Sequence, residues 1–175
     1  MPDPTLSEAL QEAYAIAPTN EVIYHTLELW HPAFSAPIRV VRDYTNIDAK
    51  IEATAARDAG AVVPFTAYAF NVIPPDLSAQ SLPQCTIEID NISRDIMAQV
   101  DLAIMATDKI TVIYRAYLSG ELTVGPQNDP PLEMEIITLS ANPYRLTATA
   151  GFSNLLDQRF PSLDYTLEKF EGLLT

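Results

Sequence analysis

Cysteine is all but missing from the sequence. A single residue, Cys85, stands among 175, so no internal disulfide can form. Basic residues are also few: ten against 23 acids, for a net charge of −13, with the three lysines (Lys50, Lys109, Lys169) scattered along the chain. That balance disfavours DNA, RNA and anionic lipid as ligands, all of which reward clustered Lys and Arg. No apolar run approaches the roughly 18 residues that a membrane span requires, so no membrane contact is expected. The opening Met1-Pro2-Asp3-Pro4 has no basic residue followed by an apolar stretch, which argues against a signal peptide. The expectation is a protein made in the cytoplasm and released by another route, such as lysis.

Residues that carry chemistry are equally thin. There is no G-x-S-x-G elbow, no Walker loop, no G-x-G-x-x-G turn and no H-E-x-x-H pair. The only histidines, His25 and His31, share one face of an extended strand but stand well apart along it. They read as surface or interface residues, not as a zinc site. The paired acids Glu88/Asp90 and Glu133/Glu135 each share a strand face, as a glycosidase pair would. With one Trp in the chain, solvated strand faces account for them more simply. Asp43, Asp48, Glu52 and Asp58 lack the dense spacing and loop glycine of a calcium site. No catalytic residue, metal ligand or cofactor is expected.

What is present is material for a core. Hydrophobic residues make up 48% of the chain, with eight Tyr and six Phe. A chain of this length buries roughly 70% of its unfolded surface and needs no staple. One domain over 1–175 follows, with 151–175 as a C-terminal tail packed on the body.

Thr5 or Ser7 can cap a short helix whose apolar positions are Leu6, Ala9, Leu10, Ala13 and Tyr14. Glu21 to Trp30 and Ile38 to Arg42 read as a hairpin, the first strand covered on both faces. Tyr44 to Gly60 is open between an alanine-rich helix and a strand with a loop. Val62 to Ile73 reads as one long strand, ended by Pro74-Pro75. Cys85 to Asp90 alternates cleanly, with Cys85 as a small buried hydrophobe. A helix follows from Arg94 to about Met105, then a strand from Lys109 to Leu118. Two more strands, Leu132 to Leu139 and Tyr144 to Ala150, flank the turn at Ala141-Asn142-Pro143. The fold class is mainly β (α+β): an antiparallel β-sandwich or bent barrel with one internal helix and a short N-terminal helix.

Arginines inside ordered segments stand out, Arg94, Arg115 and Arg159 above all. Arg115 falls between Tyr114 and Tyr117. An ion pair, or a stem covering apolar surface, explains such residues most simply. The sharper reading places Arg94, Arg115, Arg159, Tyr117 and Trp30 as interface or structural residues, since Arg, Tyr and Trp dominate many subunit contacts.

Four separated stretches carry a family resemblance. They are EAYAIAPTNEVIYHTLELWHPAF from Glu12 with PIRVVRD from Pro37, IDNISR from Ile89, VIYRAYL from Val112, and ATAGFSNLLDQRFP from Ala148. In this order, from about Leu6 to Leu173, the chain resembles a phage tail-tip family of formally unknown function. Its members are encoded between the tape-measure and hub genes of phages with long non-contractile tails. The position is similar to that of tail-tip protein M of lambda-like phages, whose homologues act as distal tail proteins. The resemblance implies a virion protein without enzymatic activity, forming a hexameric ring between the tail tube protein and the baseplate hub protein. The tape-measure protein is a further implied contact, and DNA passes only through the lumen, where an acidic lining would repel it.

Three other classes compete: a hub-associated adaptor or host-surface binding module, an enzyme, and an assembly chaperone. Exposed aromatics gathered on loops would favour the binding module, and absence from purified virions would mark a chaperone.

Overall fold

The structure is a computed structural model, and it describes residues 6–16, 21–73, 84–90, 94–104, 106, 108–142 and 144–152. Helix α1 spans Glu8–Ile16 and α2 spans Arg94–Ile104. The strands are β1 (Ile23–Trp30), β2 (Ile38–Val41), β3 (Ile47–Lys50), β4 (Val62–Ala67), β5 (Phe70–Ile73), β6 (Gln84–Asp90), β7 (Thr111–Leu118), β8 (Leu132–Asn142) and β9 (Arg145–Gly151). They form one mainly antiparallel sheet in the order β3-β4-β2-β1-β7-β8-β9-β6-β5.

The expected β1–β2 hairpin is present, with Thr26 opposite Val41 and Leu29 opposite Ile38. Between Tyr44 and Gly60 the strand-with-loop alternative holds, and the alanine-rich helix does not form. All-antiparallel pairing fails at one place. β2 and β4 run parallel, through Val40–Thr66 and Val41–Ala67, because the β3–β4 hairpin folds back onto the β2 edge.

The long strand from Val62 to Ile73 is in fact broken at Tyr68 and Ala69. Val63 and Phe65 are buried in one cluster and Phe70 in another, so the buried parity switches across the break. Its two sides are held by different partners. The Tyr68 N–H donates to the Val41 carbonyl at 3.0 Å, while the Ala69 carbonyl accepts from the Asp90 N–H at 2.9 Å. Laid flat, β4 and β5 would stand about 34 Å apart at the usual strand spacing. A two-residue link reaches only about 10 Å. The sheet therefore curls until its ends meet at this corner, yet it does not close: β4 and β5 follow one another in sequence and are not a hydrogen-bonded pair.

The curl makes an inside. Leu27, Leu29, Val40, Ile87, Val112, Met134, Leu146 and Ala148 fill it, with Val100 and Ala103 of α2 packed on top. Cys85 lies in the same cluster, and burial pushes its thiol pKa up. At the other end of β7, α1 lays Leu10 and Ala13 on Ala116 and Leu118. Ser7 caps α1, its Oγ accepting from the Leu10 N–H at 3.2 Å; Thr5 lies outside the described residues. So does nearly all of the proposed tail at 151–175. The outer face of the same central strands carries a second cluster around Phe65, Ile51 and Tyr117.

Candidate functional site

The outer face of β1 is charged where a buried strand face is ordinarily apolar. Glu28 lies between Leu27 and Leu29, so the pleat turns it away from the apolar interior. It is nonetheless only 1% exposed. Arg39 stands directly opposite it on β2, and Arg115 of β7 is paired with Thr26, one position diagonal. The loop after β3 closes over this face. Its turns use left-handed backbone at Asp58 (φ 51°) and Gly60 (φ 69°), which Asp tolerates better than most residues. The Gly60 N–H bonds back to the Glu52 carbonyl at 3.2 Å. Glu52, Arg57 and Asp58 are thereby delivered to the sheet.

The result is a neutral cluster of three arginines and three acids. Arg115 donates from Nε and Nη2 to both oxygens of Glu52, at 2.7 and 2.8 Å, and from Nη1 to Glu28 at 3.1 Å. Arg39 donates from Nε to Glu28 at 3.1 Å and from Nη2 to Asp58. Arg57 approaches the free oxygen of Glu28 at 3.6 Å and lies over the Trp30 ring, 4.1 Å from its centroid. Burial alone would raise the Glu52 pKa, but the hydrogen bond and charge of Arg115 outweigh it and hold the carboxyl below its usual range. Burial opposes the charge on Arg115 too, and its two carboxylates more than restore it. Beside the cluster, Tyr117 donates to the Lys50 carbonyl at 3.1 Å, and burial drives its hydroxyl pKa up. Each charge here faces an opposite one, although the buried Arg57 Nε makes no hydrogen bond among the described residues, and the cluster clasps the loop to the sheet.

The second feature is a cleft of about 560 Å³ at the corner where the sheet ends meet, lined by Arg42, Asp43, Tyr44, Ala67–Asn71, Glu88 and Asp90. Tyr44 is fully exposed and Tyr68 half-buried. Arg145 of β9 lies opposite Asp90 and reaches it at 2.6 Å, with Glu88 at 3.8 Å. Among the described residues, no carboxylate lies within 4.0 Å of the Arg42 guanidinium.

Of the residues singled out from sequence, Arg115 and Tyr117 lie together in the interior, and Trp30 stands at its edge under Arg57. Arg115 and Tyr117 are buried within the chain, and Trp30 is half-buried. α2 begins at Arg94, whose side chain is outside the described residues, as is all of Arg159. Of the histidines, His31 is not a surface residue. His31 is fully buried, its Nδ1 accepting from the Ala33 N–H at 3.0 Å and its Nε2 donating to the Asp108 carbonyl at 3.1 Å. His25 is half-buried and bonded to the Tyr114 hydroxyl at 2.7 Å. Burial, then the nearby Arg42 charge, lower its pKa. Glu52 and Asp58, which lack the spacing of a calcium site, are the clasp's loop half. Glu28 and Arg57 were missed altogether. Both faces of this strand were expected to be covered, but nothing local announces that a loop 24 residues after Glu28 does the covering. Among the described residues no three His, Cys, Asp or Glu gather as metal ligands, and no helix is long and apolar enough to cross a membrane.

Compared with known families, residues 9–165 match the one described as a domain of unknown function, DUF1833. A search of curated proteins finds no match.

Proposed function

The chain belongs to the DUF1833 family, and from that premise we propose that it is a structural subunit of a phage tail tip. In this reading it is a distal tail protein whose copies form a hexameric ring joining the tail tube to the baseplate hub. The observation that carries the reading is the open sheet. Among the described residues, β3 and β5 end it, each with a single strand neighbour; beyond that pairing, Lys50 of β3 donates from its N–H to the Leu122 carbonyl and accepts at its own carbonyl from the Tyr117 hydroxyl. Free strand edges are a hazard that natural proteins cover, and a ring covers them by subunit contact. Exposed Val62 on β4, the strand next to the β3 edge, supplies apolar contact area there.

Charge supports the same reading. The clasp is internally neutral, so the whole net −13 resides on the remaining residues. A wall bearing that excess repels phosphates and lets DNA slide past without being gripped. Quantitative mass spectrometry of purified virions tests the assignment. The chain should be retained in particles in fixed ratio to the tail hub, and its absence from them would identify an assembly factor instead.

One observation favours a second reading, a host-surface binding module. Two strongly exposed tyrosines lie on loops: Tyr44 beyond β2, and Tyr144 in the β8–β9 turn beside Arg145. Both belong to the end of the sheet that holds the cleft.

A further inference from the structure

We propose that the cleft at the β4–β5 corner binds a neutral saccharide. The inference rests on the binding-module reading and names its ligand class; it does not depend on ring formation. The cavity, about 560 Å³, falls within the roughly 300–1,000 Å³ of small-ligand sites. Its lining has two parts. Tyr44 and Tyr68 offer aromatic faces, with Tyr44 standing free of the body. The C–H face of a pyranose packs on such rings, which combine apolar area with a polar tip. Around them lie planar hydrogen-bonding groups that match vicinal hydroxyls: the Arg42 guanidinium, the Asn71 amide and the carboxylates of Glu88 and Asp90.

Charge decides between ligands. Asp43, Glu88 and Asp90 would repel an anion, so a phosphate or an acidic glycan is disfavoured. A cation meets Arg42, and it finds Asp90 and Glu88 already engaged by Arg145 at 2.6 and 3.8 Å. A neutral hydroxyl-rich ligand can bond to both signs without stripping either from its partner. Asn71 is exposed and stands opposite Glu88 across the β5–β6 pair, so amide and carboxylate lie side by side along the cleft wall. The corner that forces the sheet to curl is thus what places an arginine unpaired among the described residues, an amide and two rings around one hollow.

The test uses the full chain, titrated calorimetrically with cellotetraose, maltotetraose and chitotetraose, and sedimented with purified bacterial cell walls. At least one tetrasaccharide should bind in the millimolar range or tighter. Tyr44→Ala should weaken that binding at least tenfold, Tyr44→Trp should preserve it, and Asn71→Ala should weaken it several-fold. The melting temperature should stay unchanged in Tyr44→Ala, since that side chain is fully exposed. Cell-wall binding should fall in the same variants. If no tetrasaccharide binds, or if binding is indifferent to Tyr44→Ala, the saccharide cleft is overturned. Cell-wall binding that persists in every cleft variant overturns it while sparing the binding-module reading. Binding to neither probe removes both. Capture of oligolysine by the same residues, with no sugar bound, would show a cationic-peptide site and also overturn it.

Discussion

Strands β1 and β7 bury side chains equally well on both faces and do so by opposite means. Inward, Leu27, Leu29 and Val112 enter an apolar cluster. Outward, Thr26, Glu28, Arg115 and Tyr117 are just as buried, each at 1% exposure or less, but they are held by hydrogen bonds and paired charges. The apolar face needs only volume and shape, and many residues supply those. The charged face needs particular groups at particular distances, several arriving from a distant loop. Loss of one partner leaves another charge buried without compensation.

The sharpest way to probe that asymmetry is Arg115→Ala. It strands Glu52, whose two oxygens Arg115 holds, and leaves Glu28 to Arg39 and Arg57; the fold should be destabilised by about 3–5 kcal/mol, read by chemical denaturation. Conservative swaps separate the faces next. Arg115→Lys cannot reproduce the paired contact with Glu52 and should cost about 2 kcal/mol. Leu27→Met, which nearly conserves volume on the inward face, should cost less than about 1.5 kcal/mol. Equal losses in these two variants would erase the distinction.

Acid sharpens the comparison without mutation. The Glu52 pKa is depressed on folding, so the stability it contributes is present above its ordinary value of 4.5 and is lost as pH falls through the lower folded value. The wild type should therefore lose stability in that window, and Arg115→Ala should lose markedly less there. His25 acts in the same direction at higher pH. Its folded pKa lies below the ordinary 6.5, so the fold favours the neutral ring and stability declines as pH drops through 6.5. The smallest effect expected is Tyr117→Phe, about 1 kcal/mol for the bond to the Lys50 carbonyl, with the ring packing kept.

The same asymmetry explains what the sequence disclosed. Strand β6 was legible because Cys85, Ile87 and Ile89 alternate with Thr86, Glu88 and Asp90, a local period set by the pleat. Helix α2 was legible from the spacing of Ile96, Val100 and Ala103. The break at Tyr68–Ala69 was not, because the residues on both sides favour strand and only contacts with Val41 and Asp90, far away in sequence, bend the chain. The clasp was half visible. Arg115 drew attention as a charge inside a strand, but its partners Glu28 and Glu52 lie 87 and 63 residues away. The cleft was invisible as a unit, since the corner assembles it from three separate segments.

A single-particle cryo-EM map of the tail tip proposed to hold this chain tests the central claim most directly. The account predicts a closed hexameric ring between tail tube and hub, with the β3 and β5 edges covered by neighbouring subunits and acids lining the lumen. One or three copies per tail, or a ring that leaves both edges open to solvent, would contradict it.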